Sequence, residues 1–355
     1  MNTNENHCFR LPAEWEPQSG IILIWPHEDT DWRPYLNEIT EVYLQMADAI
    51  TRYEPLLITV RDTEKVHSLL AERLTEGQMK RVTLFACDNN DTWARDVAPI
   101  SLVSDKEPKG SLQALRLLDF CFNGWGEKFA AEKDNRINRQ LYEAGLLQGV
   151  LENHKDFVLE GGSIESDGDR TLFTTTGCLM APHRNQPLTQ EGIDKRLRLF
   201  FPNVERVVWL DYGQLAGDDT DGHIDTIVRV APNHTLLYIG CDDKEDEHYE
   251  DFRLLEEQLK QLRTIDGAPY RLLRLPMPDA IYDDGERLPA THANFLIING
   301  AVLVPTYNQP EKDKVALDII QEAFPDREVI GIDSRTIIRQ HGSIHCLTMQ
   351  LPLNG

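Results

Sequence analysis

With 355 residues, 41% of them apolar, the chain can fill a sizeable core as one large domain or two ordinary ones. Its formal charge of −23 (36 basic against 59 acidic side chains) is spread along the chain, which disfavours nucleic acid and favours small cations. No apolar stretch is long enough to span a membrane, and the first seven residues lack the basic and apolar regions of a secretory signal, so the chain is expected to be soluble and cytoplasmic.

The predicted elements alternate. Strands are expected at 21–25, 56–60, 82–85, 157–160, 171–175, 207–210, 236–240, 271–275, 295–298, 301–304 and 328–332, each short, β-branched and bounded by Gly, Asp, Asn or Pro. Asn299-Gly300 between two apolar runs signals a hairpin. Between the strands lie helical stripes: Ile39, Val42, Met46 and Ala49; Val66, Leu69, Leu70 and Leu74; Phe252, Leu255, Leu259 and Leu262; Val315, Ile319 and Ala323. No low-complexity linker divides the chain, so residues 1–355 are expected to form a single domain. The pattern is an α/β repeat at a spacing of roughly 60–70 residues, longer than solenoid periods.

The six cysteines are scattered without a Cys-x-x-Cys pair, so neither a zinc cluster nor a redox dithiol is indicated. Cys121 and Cys178 sit in apolar runs and are expected in the core, whereas Cys346 follows Gly342-Ser343-Ile344-His345. A thiol is a nucleophile only as its thiolate, which a nearby imidazolium or cationic substrate stabilises. On a strand His345 would face away from Cys346, which leaves His223 as the better partner.

In Gly222-His223-Ile224-Asp225, a strand would turn His223 and Asp225 to one face, giving an imidazole beside a carboxylate fit for acid/base work. Asp218, Asp219 and Asp221 crowd further carboxylates ahead of it, able to hold a cationic substrate. In Trp93-Ala94-Arg95-Asp96, the Asp96 carboxylate can accept two parallel bonds from a guanidinium while the Trp93 ring packs against it. A structural Arg95–Asp96 turn with Trp93 in the core explains the same residues equally well. Glu160-Gly161-Gly162 places a carboxylate at a strand end where close approach is allowed. Phosphate-binding, dinucleotide, zinc-protease and serine-hydrolase motifs are absent from the sequence.

Together with Leu11-Pro12-Ala13-Glu14-Trp15-Glu16-Pro17, Asn123-Gly124-Trp125-Gly126, Ala293-Asn294-Phe295-Leu296 and Ile344-His345-Cys346-Leu347-Thr348, these segments resemble, in order and spacing, the agmatine deiminase / bacterial peptidylarginine deiminase family. The resemblance implies a pentein fold: an α/β-propeller of five ββαβ-type units with pseudo-fivefold symmetry around a central active site. It implies Cys346 as nucleophile, His223 as general acid/base, and Asp96 and Asp225 as the carboxylates gripping the guanidinium. Glu160 would orient His223, and Trp93, Asn294, Asp218 and Asp221 would contact substrate. The substrate class is a small cationic guanidino compound, agmatine first, with peptidyl or free arginine second. No metal or cofactor is required, and a homodimer is compatible. Glu165 stands where the family tends to carry His, and His341-Gly342-Ser343 replaces a Gly-rich run. Both changes are expected to bear on the substrate's far end. Two readings of other classes stand beside this one: a metal-dependent hydrolase with His223, Asp225 and Glu160 as ligands, and a non-catalytic guanidine-binding protein.

Overall fold

The computed structural model describes residues 9–353 apart from Asp105 and Lys109; Cys8 lies outside the described residues. Five sheets of three or four strands share one internal plan. In each, a first strand pairs antiparallel with a second, and the second pairs parallel with a third. The triplets are Ile100–Ser104, Leu115–Cys121 and Val150–Val158; Ile164–Ser166, Thr171–Thr175 and Arg206–Leu210; and Val228–Ala231, Thr235–Gly240 and Arg271–Pro276. The others are Leu296–Ile298, Ala301–Thr306 and Glu328–Asp333, and Thr348–Pro352, Gln18–Ile24 and Leu56–Val60. Phe9–Arg10 and Val82–Ala86 each add an edge strand to a sheet, and Tyr282–Asp283 with Glu286–Arg287 forms a small hairpin.

Parallel neighbours need a crossover, and the helical stripes supply it. Leu36–Thr51 links Gln18–Ile24 to Leu56–Val60, and Ile39, Val42, Met46 and Ala49 are all buried. Gln190–Phe200, Tyr249–Gln261 and Pro310–Ala323 make the equivalent links in three other sheets. In the last of these the buried face differs from expectation. It runs through Asp313, Ala316, Ile320 and Ala323, while Val315 is exposed. Asp313 turns inward because His292 Nε2 lies 3.0 Å from its carboxylate, which also accepts the backbone N–H of Tyr307 and Gln309. A stripe of apolar letters cannot register that polar anchor.

Ile298 pairs with Ala301, so Asn299-Gly300 is the expected two-residue hairpin, with Gly300 at φ +82°. Cys178 is buried, but Cys121, at the end of its strand, is only half-buried.

The first strand of each triplet is preceded by a tight turn. Helix Ala94–Val97 stands before Ile100–Ser104, the single-turn helix Gly161–Ser163 before Ile164–Ser166, and Ile224–Thr226 before Val228–Ala231. Residues 292–293 turn ahead of Leu296–Ile298, and 344–347 turn ahead of Thr348–Pro352. The strands expected through His223–Asp225 and His345–Cys346 are therefore turns. Facing rules of period two do not govern them.

Candidate active site

Each of those five turns delivers a polar side chain: Asp96, Glu160, the pair His223 and Asp225, Asn294, and Cys346. All are buried. Gly162 lies against three of them. A Cβ there would stand 2.6 Å from His223 Nδ1, 3.0 Å from Asp225 Oδ2 and 3.1 Å from Asp96 Oδ1. His223 Nδ1 is 3.8 Å from Asp96 Oδ1, and Cys346 Sγ is 3.6 Å from Asp225 Oδ2. The thiol, the imidazole and both carboxylates thus share one small space.

Asp96 is held through both oxygens, whereas Asp225 and Glu160 are each held through one and open at the other. Asp96 accepts the Trp125 indole N–H at 3.0 Å through Oδ2 and the Gly162 N–H at 3.1 Å through Oδ1. Asp225 Oδ2 is 2.7 Å from His345 Nδ1, while its Oδ1 is buried without a partner among the described residues. Glu160 accepts Arg184 Nε at 2.7 Å, and its second oxygen is also buried and unpartnered. Both ring nitrogens of His223 are in the same condition. A buried polar atom without a partner is costly, and several around one space mark a place for a ligand with many donors.

The charges set the protonation states. Burial raises the Cys346 thiol well above its usual value, and the carboxylates of Asp225 and Asp96 add to the rise. Burial alone would lower His223, but the Asp96 carboxylate, then the Cys178 sulfur and the Glu160 carboxylate, outweigh it and hold the ring well above the ordinary histidine value. Burial raises Asp96, with Asp225 and Glu160 adding and His223 opposing. Burial works the same way on Asp225, yet the His345 hydrogen bond and the charges of His345 and His223 bring it below its usual value.

Asn294 holds the turn that carries Cys346. Its Oδ1 accepts the N–H of both His345 and Cys346, and its Nδ2 lies 3.2 Å from Cys346 Sγ. Trp93 is a packing residue against the same turn: its ring sits on the backbone of Gly342 and packs with Trp32 and Trp125. Trp93 is buried in the core, as the structural alternative expects.

The acidic run divides in three. Asp218 is engaged within its own turn by the Thr220 hydroxyl at 2.6 Å and the Gly222 N–H at 2.7 Å. Asp221 pairs with Arg184 at 2.7 Å and Lys128 at 3.1 Å. Among the described residues no hydrogen bond or ion pair engages the Asp219 carboxylate; burial and its neighbour Asp218 raise its pKa to about 6.

Sequence reasoning missed four participants. Trp125 lies in a segment that carries the resemblance, but its bond to Asp96, like that of Arg184 to Glu160, joins residues far apart in the chain and has no local signal. Cys178, expected as plain core, has its sulfur within 4.8 Å of the Glu160 carboxylate and a His223 nitrogen. That trio, rather than His223, Asp225 and Glu160, has spacing compatible with metal donors, but Arg184 already places a fixed cation on Glu160. His345, set aside on the strand premise, bridges Asp225 and Glu14. Glu165 bonds Arg229 and lies beside Glu14 and His345 in one buried cluster.

Three similar proteins match this chain over nearly their whole length. A Porphyromonas gingivalis protein described as an arginine deiminase is 47% identical, with TM-score 0.90 and coverage of 98% of this chain and 99% of that one. A cysteine-to-serine variant of C. jejuni agmatine deiminase, solved with substrate bound, is 34% identical with TM-score 0.88, covering 98% and 97%. Agmatine deiminase of Pseudomonas aeruginosa is 32% identical over 97% of this chain and 95% of its own. The fold is that of the pentein superfamily. The model of the Porphyromonas-type peptidyl-arginine deiminases matches residues 10–352, and the chain belongs to that family.

Proposed function

We propose that this chain hydrolyses a guanidino group to a ureido group with release of ammonia, and that its substrate is agmatine, converted to N-carbamoylputrescine. The observation that carries the reading is the buried thiol of Cys346 facing two carboxylates and an imidazole, with open acceptor atoms on Asp225 and Glu160. A guanidinium has five N–H donors in a plane and a positive carbon, which suits these acceptors and this nucleophile.

The mechanism follows from the charges. A guanidinium gripped by Asp96 and Asp225 stays cationic, and its charge offsets the two carboxylates that hold the Cys346 thiol protonated. The thiol then loses its proton to solvent as the cation is bound, and the sulfur attacks the guanidinium carbon. His223, held protonated by its neighbours, delivers a proton to the departing nitrogen, which leaves as ammonia. The amidino-thioether remaining on Cys346 is attacked by water, whose proton His223 accepts. Collapse breaks the C–S bond, returns the thiol and releases the ureido product. Catalysis here rests on groups fixed before the reaction in a water-poor space, where each contact is strengthened.

The same reading makes the five sheets five ββαβ-type units around a pseudo-fivefold axis. Its support is that each sheet presents a site residue in the turn before its first strand.

Agmatine is preferred because the site side chains are buried and because Asp219, alone in its run, has a carboxylate with no hydrogen bond or ion pair among the described residues to meet the distal ammonium. The names of the P. aeruginosa and C. jejuni relatives support it; the family's name keeps peptidyl arginine as the second reading. A colorimetric ureido assay on agmatine, free arginine and an arginine peptide decides. Conversion of the peptide alone overturns the substrate assignment, and equal rates for wild type and Cys346→Ala overturn the mechanism. Activity abolished by chelator would support the metal-hydrolase reading instead. Asp219→Asn should raise KM for agmatine by about 10-fold or more, the usual worth of a charge-assisted bond.

A further inference from the structure

Behind Asp225 lies a mostly buried charge cluster that the mechanism above does not use. Glu14, from the Leu11–Pro17 segment, accepts Arg95 Nη1 at 3.0 Å and Arg229 Nη2 at 2.6 Å. Arg229 also bonds Glu165 and the carbonyl of Phe295, whose ring it covers at 4.5 Å. His345 connects the cluster to the site. Its Nε2 lies 2.9 and 3.1 Å from the two Glu14 oxygens, and its Nδ1 lies 2.7 Å from Asp225 Oδ2.

Ionised carboxylates only accept hydrogen bonds, so the ring nitrogen 2.7 Å from Asp225 Oδ2 is the donor of that pair. Asp225 stays below its usual pKa against burial, and Glu14 well below its own, held there by His345, Arg95 and Arg229. The ring itself is fully buried, and its backbone N–H is tied to Asn294. It therefore has one orientation available.

We infer that His345 is a positioning residue: it takes Oδ2 of Asp225 and thereby aims Oδ1, the oxygen buried without a partner, at the guanidinium. The inference rests on the deiminase reading and adds to it a residue that touches no reacting atom. It also gives Glu14, a residue of the N-terminal segment, a role in fixing the ring from behind.

Two substitutions separate positioning from packing. The amide nitrogen of Asn superposes on the Nδ1 position and that of Gln on the Nε2 position. His345→Asn therefore keeps the donor to Asp225 and drops Glu14; His345→Gln does the reverse. Both remove one buried partner, so a purely structural role predicts similar losses in each, in step with the fall in melting temperature. Positioning predicts that kcat/KM for agmatine falls about 10- to 100-fold further in His345→Gln than in His345→Asn, the scale of a charge-assisted hydrogen bond. The same order should appear, in a Cys346→Ala background, as weaker agmatine binding by calorimetry in the Gln variant. Equal kcat/KM values, the reverse order, or losses that follow melting temperature overturn the inference. Absence of ureido product from wild type defeats the deiminase reading separately. The calorimetric comparison then still decides the role of His345, and equal affinities or no binding in either variant count against it.

Discussion

Asn294 holds Cys346 from two directions, accepting its backbone N–H at 3.2 Å through Oδ1 while Nδ2 stands 3.2 Å from the sulfur. The two residues lie in turns ahead of different sheets, so this side chain locks the Cys346 turn to the rest of the site. Asn294→Ala removes the donor beside the sulfur and frees two backbone N–H groups. Each lost bond is worth about 1 kcal/mol, and their joint loss at a reacting sulfur should lower kcat by about 10- to 100-fold. Steady-state kinetics check this. An Ala variant with unchanged kcat would mean that the turn is rigid without Asn294.

Gly162 has no side chain because three reacting groups already occupy the space a Cβ would take. Gly162→Ala would press on His223 and both substrate carboxylates at distances of 2.6–3.1 Å. Ground-state binding and chemistry should both suffer, with kcat/KM reduced by at least about 100-fold, as expected when reacting groups are displaced by about an ångström. Circular dichroism should remain that of the wild type, since the change lies in a turn. Near-normal activity would show that the backbone retreats there and that the three groups are less fixed than their geometry implies.

The Cys346 thiol is raised by burial and by Asp225 and Asp96, so in the free protein it is protonated at neutral pH. Alkylation by neutral iodoacetamide should be slow at pH 7 and should climb with pH without levelling below about 9, the region where an ordinary thiol ionises. A haloacetamidine carries the positive charge that the two carboxylates accept. It should react at least about 10-fold faster than iodoacetamide at pH 7, by lowering the thiol's pKa on binding. Asp225→Asn should shrink that advantage. Equal rates for the two reagents, measured by mass spectrometry of the Cys346 peptide, would show that substrate charge does not activate the sulfur.

How much of this was legible in the sequence depends on the range of each interaction. Strands such as Thr171–Thr175 and Leu56–Val60 were readable to the residue because β-branched runs carry their own boundaries. Short first strands such as Ile164–Ser166 and Val228–Ala231 were not, since three or four residues beside a turn hold too little periodicity. The proposed site residues could be named one by one from their chemistry and from the family resemblance. Their supporting partners could not. Trp125 is 29 positions from Asp96, and Arg184 is 24 from Glu160. His345 was misjudged because a turn was read as a strand, which reversed the direction its ring was assigned. The acidic run was read as three interchangeable carboxylates, whereas capping geometry and ion pairs separate Asp219 from Asp218 and Asp221.

Beside the Asp88–Asp91 loop, Asp134 is buried, and its Oδ1 accepts the N–H of Asn90 at 2.7 Å and of Asp91 at 3.4 Å. Its second oxygen has no partner among the described residues. Burial outweighs the two backbone bonds, and with the charge of Glu132 it raises the carboxyl to about 7 from 3.8. The sign of the stability effect follows. Between about pH 4 and 7 the folded chain holds a proton here that the unfolded chain has lost, so stability falls as pH rises through that window. A shift of this size corresponds to roughly 1–4 kcal/mol of stability lost by pH 8. Asp134→Asn keeps the acceptor oxygen, removes the charge and lowers the repulsion on Asp91, itself raised to about 7 by burial and by Asp134. The variant should therefore melt near the wild type at pH 5 and above it at pH 8. Thermal unfolding across this range is the measurement; parallel curves for the two proteins would show that Asp134 is ionised in both states and that water reaches its second oxygen.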